Sequence, residues 1–193
     1  PKITPFSFAS KLVSGQRATV TCSTFEGDRP LTFAWLKDGS TLSKHNNVEW
    51  NEEKGYSMLN ISPLSLQDSG NYTCVVSNSA GSDSLSSSLV VHAPPSWTTE
   101  PKDVTVTAGE AVRLECIGTG FPKPKISWTK VGKDTQRHRL PVEETKQNSK
   151  TGTATVDGLL KIATATKENE GSYRCDITNG IGASLTKTVS LAV

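Results

Sequence analysis

The sequence predicts an all-β fold made of two tandem β-sandwiches, and three observations carry this prediction. The first is an internal repeat, in which Asp68-Ser69-Gly70-Asn71-Tyr72-Thr73-Cys74 returns in weaker form at 169–175. The second is that each copy has a cysteine and a tryptophan upstream at similar spacing. The third is short alternation of apolar and polar residues, as in Ala18-Thr19-Val20-Thr21-Cys22, which is the period of a half-buried strand.

The landmarks of the two halves follow one another in the same order. Trp35 comes 13 residues after Cys22, and Trp128 comes 12 residues after Cys116. In a β-sandwich, a cysteine pair that spans the two sheets packs against a tryptophan, and a tyrosine two residues before the second cysteine bonds to nearby backbone. The further matching landmarks are Leu59-Asn60-Ile61 with Leu160-Lys161-Ile162, Tyr72 with Tyr173, Cys74 with Cys175, and the hairpin turns at 78–81 with those at 179–182.

The corner before each second cysteine is predicted to differ between the halves. Gly70 and Gly171 both suit a turn with positive φ. Asp68 in the first copy is expected to form a salt bridge, whereas Asn169 can form at most a neutral hydrogen bond. The segment from 128 to 160 is also longer than its counterpart from 35 to 59. Its extra length, near 132–152, is interpreted as a long exposed loop or an extra edge strand.

The four cysteines favour one long-range disulfide in each half. Cys22, Cys74, Cys116 and Cys175 split two and two, and none belongs to a CxxC pair. A zinc site would require close ligand pairs with histidines nearby, but the three histidines are scattered. Disulfides imply an oxidising compartment, and each would contribute ~4 kcal/mol on the loop-entropy model.

Composition and motifs argue against several function classes. A net charge of +2 demands neither nucleic acid nor an acidic membrane as partner. The sequence has no nucleophile–base arrangement and no glycine-rich phosphate loop, so we expect no enzyme, no cofactor and no metal site. It also has no apolar run of membrane-spanning length and no signal peptide. If the protein is membrane-anchored, those parts lie outside this stretch.

The boundary between the two halves is predicted at Pro94-Pro95, giving domains 1–93 and 94–193. The first domain's last strand runs almost directly into the first strand of the second. Two prolines stiffen this junction and donate no hydrogen bonds. We therefore expect a short elbow and no flexible tether.

The landmarks together resemble the I-set of immunoglobulin domains in both halves. They read Cys…Trp…Leu-x-Ile…Asp-x-Gly-x-Tyr-x-Cys…Asn-x-x-Gly, with Asn169 in place of the aspartate in the second copy. Longer strings resemble the arthropod Dscam (Down syndrome cell adhesion molecule) family. Residues 1–8, 26–31 and 35–39 are similar to its seventh immunoglobulin domain, and 94–97, 120–124 and 178–182 to its eighth. The chain also resembles the first two domains of shortened chelicerate members.

This resemblance implies two tandem I-set immunoglobulin β-sandwiches joined by a short proline elbow. It further implies an extracellular fragment of a membrane-anchored adhesion receptor at the cell surface. In that family the first domain of this pair is the variable one and pairs antiparallel with its own copy. The implied function is therefore isoform-specific homophilic binding, with the protein itself as partner.

Two Asn-x-Ser/Thr sequences are candidate N-glycosylation sites. Asn71-Tyr72-Thr73 is the better acceptor because its hydroxyl residue is threonine, while Pro63 disfavours Asn60-Ile61-Ser62. Both asparagines alternate with core residues and should face outward. A glycan at Asn71 would shield the sheet that carries Trp35 and leave the opposite sheet open.

The opposite sheet of the first domain is the predicted self-binding surface. Met58 lies beside Tyr56 on an exposed sheet face, and both residue types are enriched at interfaces. Trp50 is expected to be structural, because it alternates into the core beside Val48. Flanking side chains covering Tyr56 and Met58 remain an alternative. The predicted contact residues are Arg17, Thr19, Thr21, Glu49, Asn51, Tyr56 and Met58.

Two other functions stay open. The first is a heterophilic receptor module that binds another ligand, such as a glycosaminoglycan, through the basic residues Lys130, Lys133, Arg137, His138 and Arg139. The alternative for this cluster is a solvated loop. The second function is a structural spacer like those of intracellular muscle filaments, in which the cysteines would be reduced.

Overall fold

The computed structural model describes residues 1–131, 137–139 and 153–193. The chain divides into two compact units, Pro1–Ala93 and Pro94–Val193. Short 3-10 helices lie at Leu66–Asp68 and Lys167–Asn169. The strands are β1 (Lys2–Ile3), β2 (Leu12–Val13), β3 (Ala18–Glu26), β4 (Thr32–Lys37), β5 (Ser40–Thr41), β6 (Val48–Glu53), β7 (Tyr56–Ile61), β8 (Gly70–Asn78), β9 (Gly81–Leu89), β10 (Val91–Thr99), β11 (Val104–Thr105), β12 (Val112–Glu115), β13 (Ile117–Phe121), β14 (Lys125–Val131), β15 (Arg137–Arg139), β16 (Thr153–Val156), β17 (Leu159–Ile162), β18 (Gly171–Thr178) and β19 (Leu185–Ala192).

The first unit is a sandwich of two four-stranded sheets, in the orders β1-β3-β7-β6 and β5-β4-β8-β9. Alternation decides which side chains enter the core, since every second residue of a strand faces the other sheet. Val20, Leu59 and Val76 are buried, as this rule predicts. At the end of the unit, Val91 of β10 pairs in parallel with Leu12 of β2. The sequence prediction of an all-β sandwich is confirmed.

A disulfide and a tryptophan join the two sheets of the first unit. Cys22 on β3 bonds to Cys74 on β8. The buried Trp35 indole donates a hydrogen bond of 2.9 Å from Nε1 to the hydroxyl of Ser57, which is itself fully buried. Phe6 packs edge-on against the same indole, with ring centroids 5.8 Å apart. The polar atom of the tryptophan is thus satisfied inside an apolar core, where an unpaired donor would be costly.

The second unit repeats this arrangement with a different hydrogen-bond acceptor. Cys116 bonds to Cys175, and Trp128 Nε1 donates to the backbone oxygen of Gly158 at 3.1 Å. Gly158 has φ +83°, and a Cβ there would lie 2.0 Å from the carbonyl oxygen of Cys116. Only glycine therefore fits at this point, beneath the tryptophan.

The sheets of the second unit have the orders β11-β19-β18-β14-β15 and β12-β17-β16, and β13 pairs with β10. Strand β15 pairs antiparallel with β14, with Thr129 opposite Arg139. The longer segment therefore contains an edge strand. This strand corresponds to β5 of the first unit, which pairs with β4 in the same way, so it is not an additional strand. The rest of the predicted loop, 132–136 and 140–152, lies outside the described residues. The predicted proline junction lies within β10.

Both units contain the predicted tyrosine corner. Tyr72 donates its hydroxyl hydrogen bond to the Asp68 carbonyl at 2.6 Å, and Tyr173 donates to the Asn169 carbonyl at the same distance. Burial raises the pKa of Tyr173 to about 12. Burial raises the pKa of Tyr72 further, aided by the negative charges of Asp68 and Asp38. Both tyrosines therefore remain neutral donors at physiological pH.

The salt bridge expected at Asp68 is replaced by bonds to neutral groups. The buried Asp68 carboxylate accepts hydrogen bonds of 2.8 Å from the Ser65 backbone N–H and from Asn47 Nδ2. In the second unit, Asn169 Oδ1 accepts from the Thr166 backbone N–H at 2.8 Å. One turn geometry thus accepts either a carboxylate or an amide, because both place an oxygen on the same backbone donor.

The two corner glycines play different parts. Gly171 has φ +145°, as predicted. Gly70 does not adopt a positive φ, so that prediction was wrong. A Cβ on Gly70 would instead lie 2.9 Å from Asp38 Oδ2. The missing side chain makes room for a carboxylate that accepts the backbone N–H of Asn71 at 2.9 Å.

Replacing Tyr72 with phenylalanine should lower the free energy of unfolding by about 1.5 kcal/mol, because the buried Asp68 carbonyl loses its hydroxyl donor. Urea titration followed by tryptophan fluorescence measures this change. Tyr56→Phe is the matched control, since its side chain is 42% exposed, and it should change stability by less than about 0.5 kcal/mol. Equal effects of the two substitutions would contradict the role of the corner.

Candidate functional site

The outward side chains of β3, β7 and β6 form three cross-strand rows on the first domain. Strand β7 lies in the middle, so each of its outward residues has a neighbour on both sides. The rows are Thr19–Asn60–Glu49, Thr21–Met58–Asn51 and Ser23–Tyr56–Glu53. We call this surface, together with Arg17, the outer face. All seven sequence-predicted contact residues lie on it.

A shallow depression of about 160 Å³ lies within the outer face. Five of the predicted residues line it, while Thr21 and Tyr56 lie outside its lining. Trp50 and Asn60 complete the lining. The lining residues are Arg17, Thr19, Glu49, Trp50, Asn51, Met58 and Asn60.

Asn60 holds the first row together. Its Oδ1 accepts a hydrogen bond from the Thr19 hydroxyl at 3.1 Å, and its Nδ2 donates to Glu49 Oε1 at 3.4 Å. The side chain of Asn60 is thus fixed across three strands. The sequence predicts Asn60 as an outward-facing sequon but not as a contact residue of the face.

Trp50 is partly core and partly surface, so its interpretation as purely structural was incomplete. Its ring packs against the core of the first unit and also lines the depression. Lys44 Nζ lies 4.9 Å from the ring centroid. The reason is that β6 forms the edge of its sheet, where an inward side chain is only half covered.

The outer face combines both signs of charge with apolar groups. Arg17 and Glu49 line the same depression. The apolar groups are the half-buried side chain of Met58 and the exposed ring of Tyr56. Phe25, farther along β3, is 65% exposed and was missed. Its signal was present in the sequence, because Phe25 continues the outward alternation of Thr21 and Ser23.

The two sequon asparagines lie on opposite sheets, as predicted. Asn71 on β8 is exposed, and Asn60 on β7 is half-buried. Asn71 belongs to the sheet of Trp35, while Asn60 belongs to the outer face. Occupancy of either site stays a prediction.

Lys130, one member of the predicted basic cluster, makes contacts within its own domain. Its ammonium donates to the Glu168 carbonyl and stands 5.6 Å from the ring centroid of Tyr173. Burial lowers the pKa of Lys130, an effect that the Glu168 carboxylate opposes. Lys133 and the side chains of Arg137, His138 and Arg139 lie outside the described residues.

The same lysine contact occurs in the first domain, where it was not anticipated. Lys37 Nζ donates to the Gln67 carbonyl at 2.6 Å and lies 5.8 Å from the ring centroid of Tyr72. In both domains a strand lysine therefore binds the carbonyl of the middle residue of the 3-10 helix and lies over the ring of the corner tyrosine. Equivalent positions in the repeat explain the match, which makes this contact structural.

Within the described ranges, no group of three or more His, Cys, Asp or Glu residues is placed to hold a metal ion. In the same part of the chain, no helix has the length and apolar character needed to cross a membrane.

Family models and relatives agree with this architecture. The Immunoglobulin I-set domain model matches residues 1–91, and the Immunoglobulin domain model matches residues 94–179. The chain is 34% identical over 194 residues to the cell adhesion molecule Dscam2 of Drosophila melanogaster, covering 100% of this chain and 9% of that protein. It thus spans about a tenth of the length of the curated relatives it matches.

Solved structures show the same likeness. The crystal structure of the N-terminal eight Ig domains of a DSCAM isoform is 31% identical with a TM-score of 0.72, covering 100% of this chain and 24% of that one. A three-domain structure of titin is 27% identical with a TM-score of 0.69, covering 99% of this chain and 63% of the titin chain.

Replacing Lys130 with alanine should lower the free energy of unfolding by about 1 kcal/mol, because the Glu168 carbonyl loses a charged donor at a partly exposed site. Urea unfolding measures this change. Lys125→Ala on the same strand removes the same charge from an exposed position and should have little effect. If both variants lose the same stability, the contact of Lys130 contributes nothing specific.

Proposed function

Because the chain belongs to the Dscam family, we propose that it is a cell-surface recognition module whose first domain binds a second copy of itself. The relatives carry the names of cell adhesion molecules, and the chain is not an enzyme. The specific activity is homophilic binding in which the first domain binds its own isoform and rejects other isoforms. The two disulfides support an extracellular location, since such bonds persist in oxidising compartments.

The observation that carries the proposal is the composition of the outer face. A surface that binds its own copy must be self-complementary, because a two-fold axis brings each residue against the same patch. The outer face offers Arg17 and Glu49 in one depression beside the apolar group of Met58. In an antiparallel pair, Arg17 of one copy meets Glu49 of the other, while Met58 and Tyr56 supply the apolar contact.

The same geometry supports discrimination between isoforms. A change that leaves only one sign of charge on the face would make it repel its own copy. Affinity of a single pair can be modest, because many copies at a cell contact multiply the binding by avidity. Variation at a few outward positions would then change partner choice without altering the core.

Two alternatives remain distinguishable. The likeness to titin favours a structural spacer, which would contain free thiols in its native cell compartment. Heterophilic binding of a glycosaminoglycan would appear as salt-sensitive retention on heparin that is lost on neutralising Arg137 and Arg139. Lys130 of that basic cluster already donates to the Glu168 backbone carbonyl.

The first test is self-association of the wild type and of Met58→Asp. Sedimentation equilibrium should detect a dimer of the wild type. The carboxylate introduced by Met58→Asp would be buried in that dimer and should raise its dissociation constant at least about tenfold. Ser84→Asp places the same charge on the opposite sheet of the domain and should dimerise like the wild type. A wild type that stays monomeric, or a Met58→Asp variant that dimerises equally, rejects the proposed face.

The second test is the charge pairing. Arg17→Glu leaves the depression acidic and Glu49→Arg leaves it basic, so each variant alone should lose self-association. Mixing the two variants should restore association as a heterodimer, because each face then meets its complement. Differently tagged chains in a pull-down measure this. Failure of the mixture to associate would contradict direct pairing of Arg17 with Glu49.

A further inference from the structure

We propose that Asn71 carries an N-linked oligosaccharide and that Asn60 does not. The proposal requires only that the chain passes through a secretory pathway. It is independent of whether the outer face pairs with itself. What distinguishes the two asparagines is the surface on which each one stands.

Asn71 presents a free acceptor on a rigid strand. Its backbone is fixed on both sides by Asp38, which accepts from the Asn71 N–H at 2.9 Å and donates its own N–H to the Asn71 carbonyl at 2.8 Å. The side chain is exposed. Thr73, which supplies the hydroxyl of the sequon, lies two residues on and therefore on the same side of the sheet.

Apart from the Asp38 carboxylate, the side chains around Asn71 are uncharged and most of them are small, and we call this surface the serine face. It consists of the outward residues of β4, β8 and β9, assigned by register from the inward Trp35, Cys74 and Leu85. Ser88 lies directly opposite Asn71, and Ser86 opposite Thr73. The serine face comprises Thr32, Ala34, Leu36, Asn71, Thr73, Val75, Ser77, Ser82, Ser84, Ser86 and Ser88.

A glycan fits the serine face for two reasons. Short side chains let the first sugars lie over the sheet without displacing a neighbour. The face also lacks the charges that usually protect exposed strands, and β9 forms its edge. A bulky, solvated oligosaccharide on β8 supplies the protection that charge would otherwise give.

Asn60 stands in the opposite situation. Its side chain is half-buried, and its amide nitrogen, the atom to which sugar would attach, already donates to Glu49. A sugar there would enter the depression between Arg17 and Met58. The serine of its sequon is followed directly by Pro63, which disfavours transfer.

The modification is a group transfer from a lipid-linked oligosaccharide diphosphate. A bond forms between Asn71 Nδ2 and the anomeric carbon of the first sugar, while the anomeric carbon–oxygen bond to the diphosphate breaks. The lipid diphosphate leaves, and the amide nitrogen loses one proton. The amide keeps its remaining N–H, so no redox partner is needed.

The test is glycan occupancy of the chain directed into the secretory pathway of cultured animal cells. Treatment with a peptide-N-glycosidase should shift the wild type by one glycan and convert Asn71 to aspartate, which peptide mass spectrometry locates. Asn71→Gln and Thr73→Ala should each abolish the shift, while Asn60→Gln, the matched control, should leave it unchanged.

Occupancy is scored on the intracellular pool as well as on secreted protein. Transfer takes place during translocation, so a variant that folds poorly still reports whether its sequon is used. The folded surfaces act at the next step: sugar on Asn71 is compatible with the closed sandwich, whereas sugar on Asn60 would break its bond to Glu49 and enter the depression. An unmodified Asn71 in wild-type chains that have formed both disulfides would overturn the proposal. A glycan on Asn60, or a shift that survives Asn71→Gln, would overturn it as well.

Discussion

Each domain depends on one constraint: a disulfide and a tryptophan packed beside it hold the two sheets together. Cys22–Cys74 and Cys116–Cys175 each join one sheet to the other, and an indole packs at each crossing. Because these contacts are buried, the outward side chains of the sheets are not needed to stabilise the fold and can differ in character. In the first domain they take two different characters: a charged and apolar face on β3, β7 and β6, and a face of small hydroxyl residues on β8 and β9.

The tyrosine corner of each domain shows that the fold tolerates different side chains at one position. In both domains a lysine ammonium and a tyrosine hydroxyl bind the carbonyls of two successive residues of the 3-10 helix. The acceptor beneath them is a carboxylate in one copy and an amide in the other. What the corner requires is an oxygen directed at a backbone N–H, and the charge of that oxygen is secondary.

Most of the fold follows from periodicity alone. Alternation around Cys22, Leu59 and Cys74 predicts which residues form the core and, on the opposite side of the same strands, which residues form the outer face. The internal repeat predicts the second domain. Three of the failures have one physical origin, which is that they depend on neighbours distant in sequence. Gly70 makes room for a carboxylate from the turn between β4 and β5. Lys130 is held by a carbonyl of the 3-10 helix, and Trp50 is half-exposed because its strand forms an edge. No local pattern records these contacts.

The parallel pairing at the ends of each domain has a mechanical consequence. In the first domain β2 lies parallel to the start of β10, and in the second β11 lies parallel to β19. Tension drawn along the chain pulls the two members of each parallel pair in opposite directions. Their hydrogen bonds are then loaded in shear and must yield together rather than open one by one. A module built this way transmits pulling force along the polypeptide while its sandwiches stay closed.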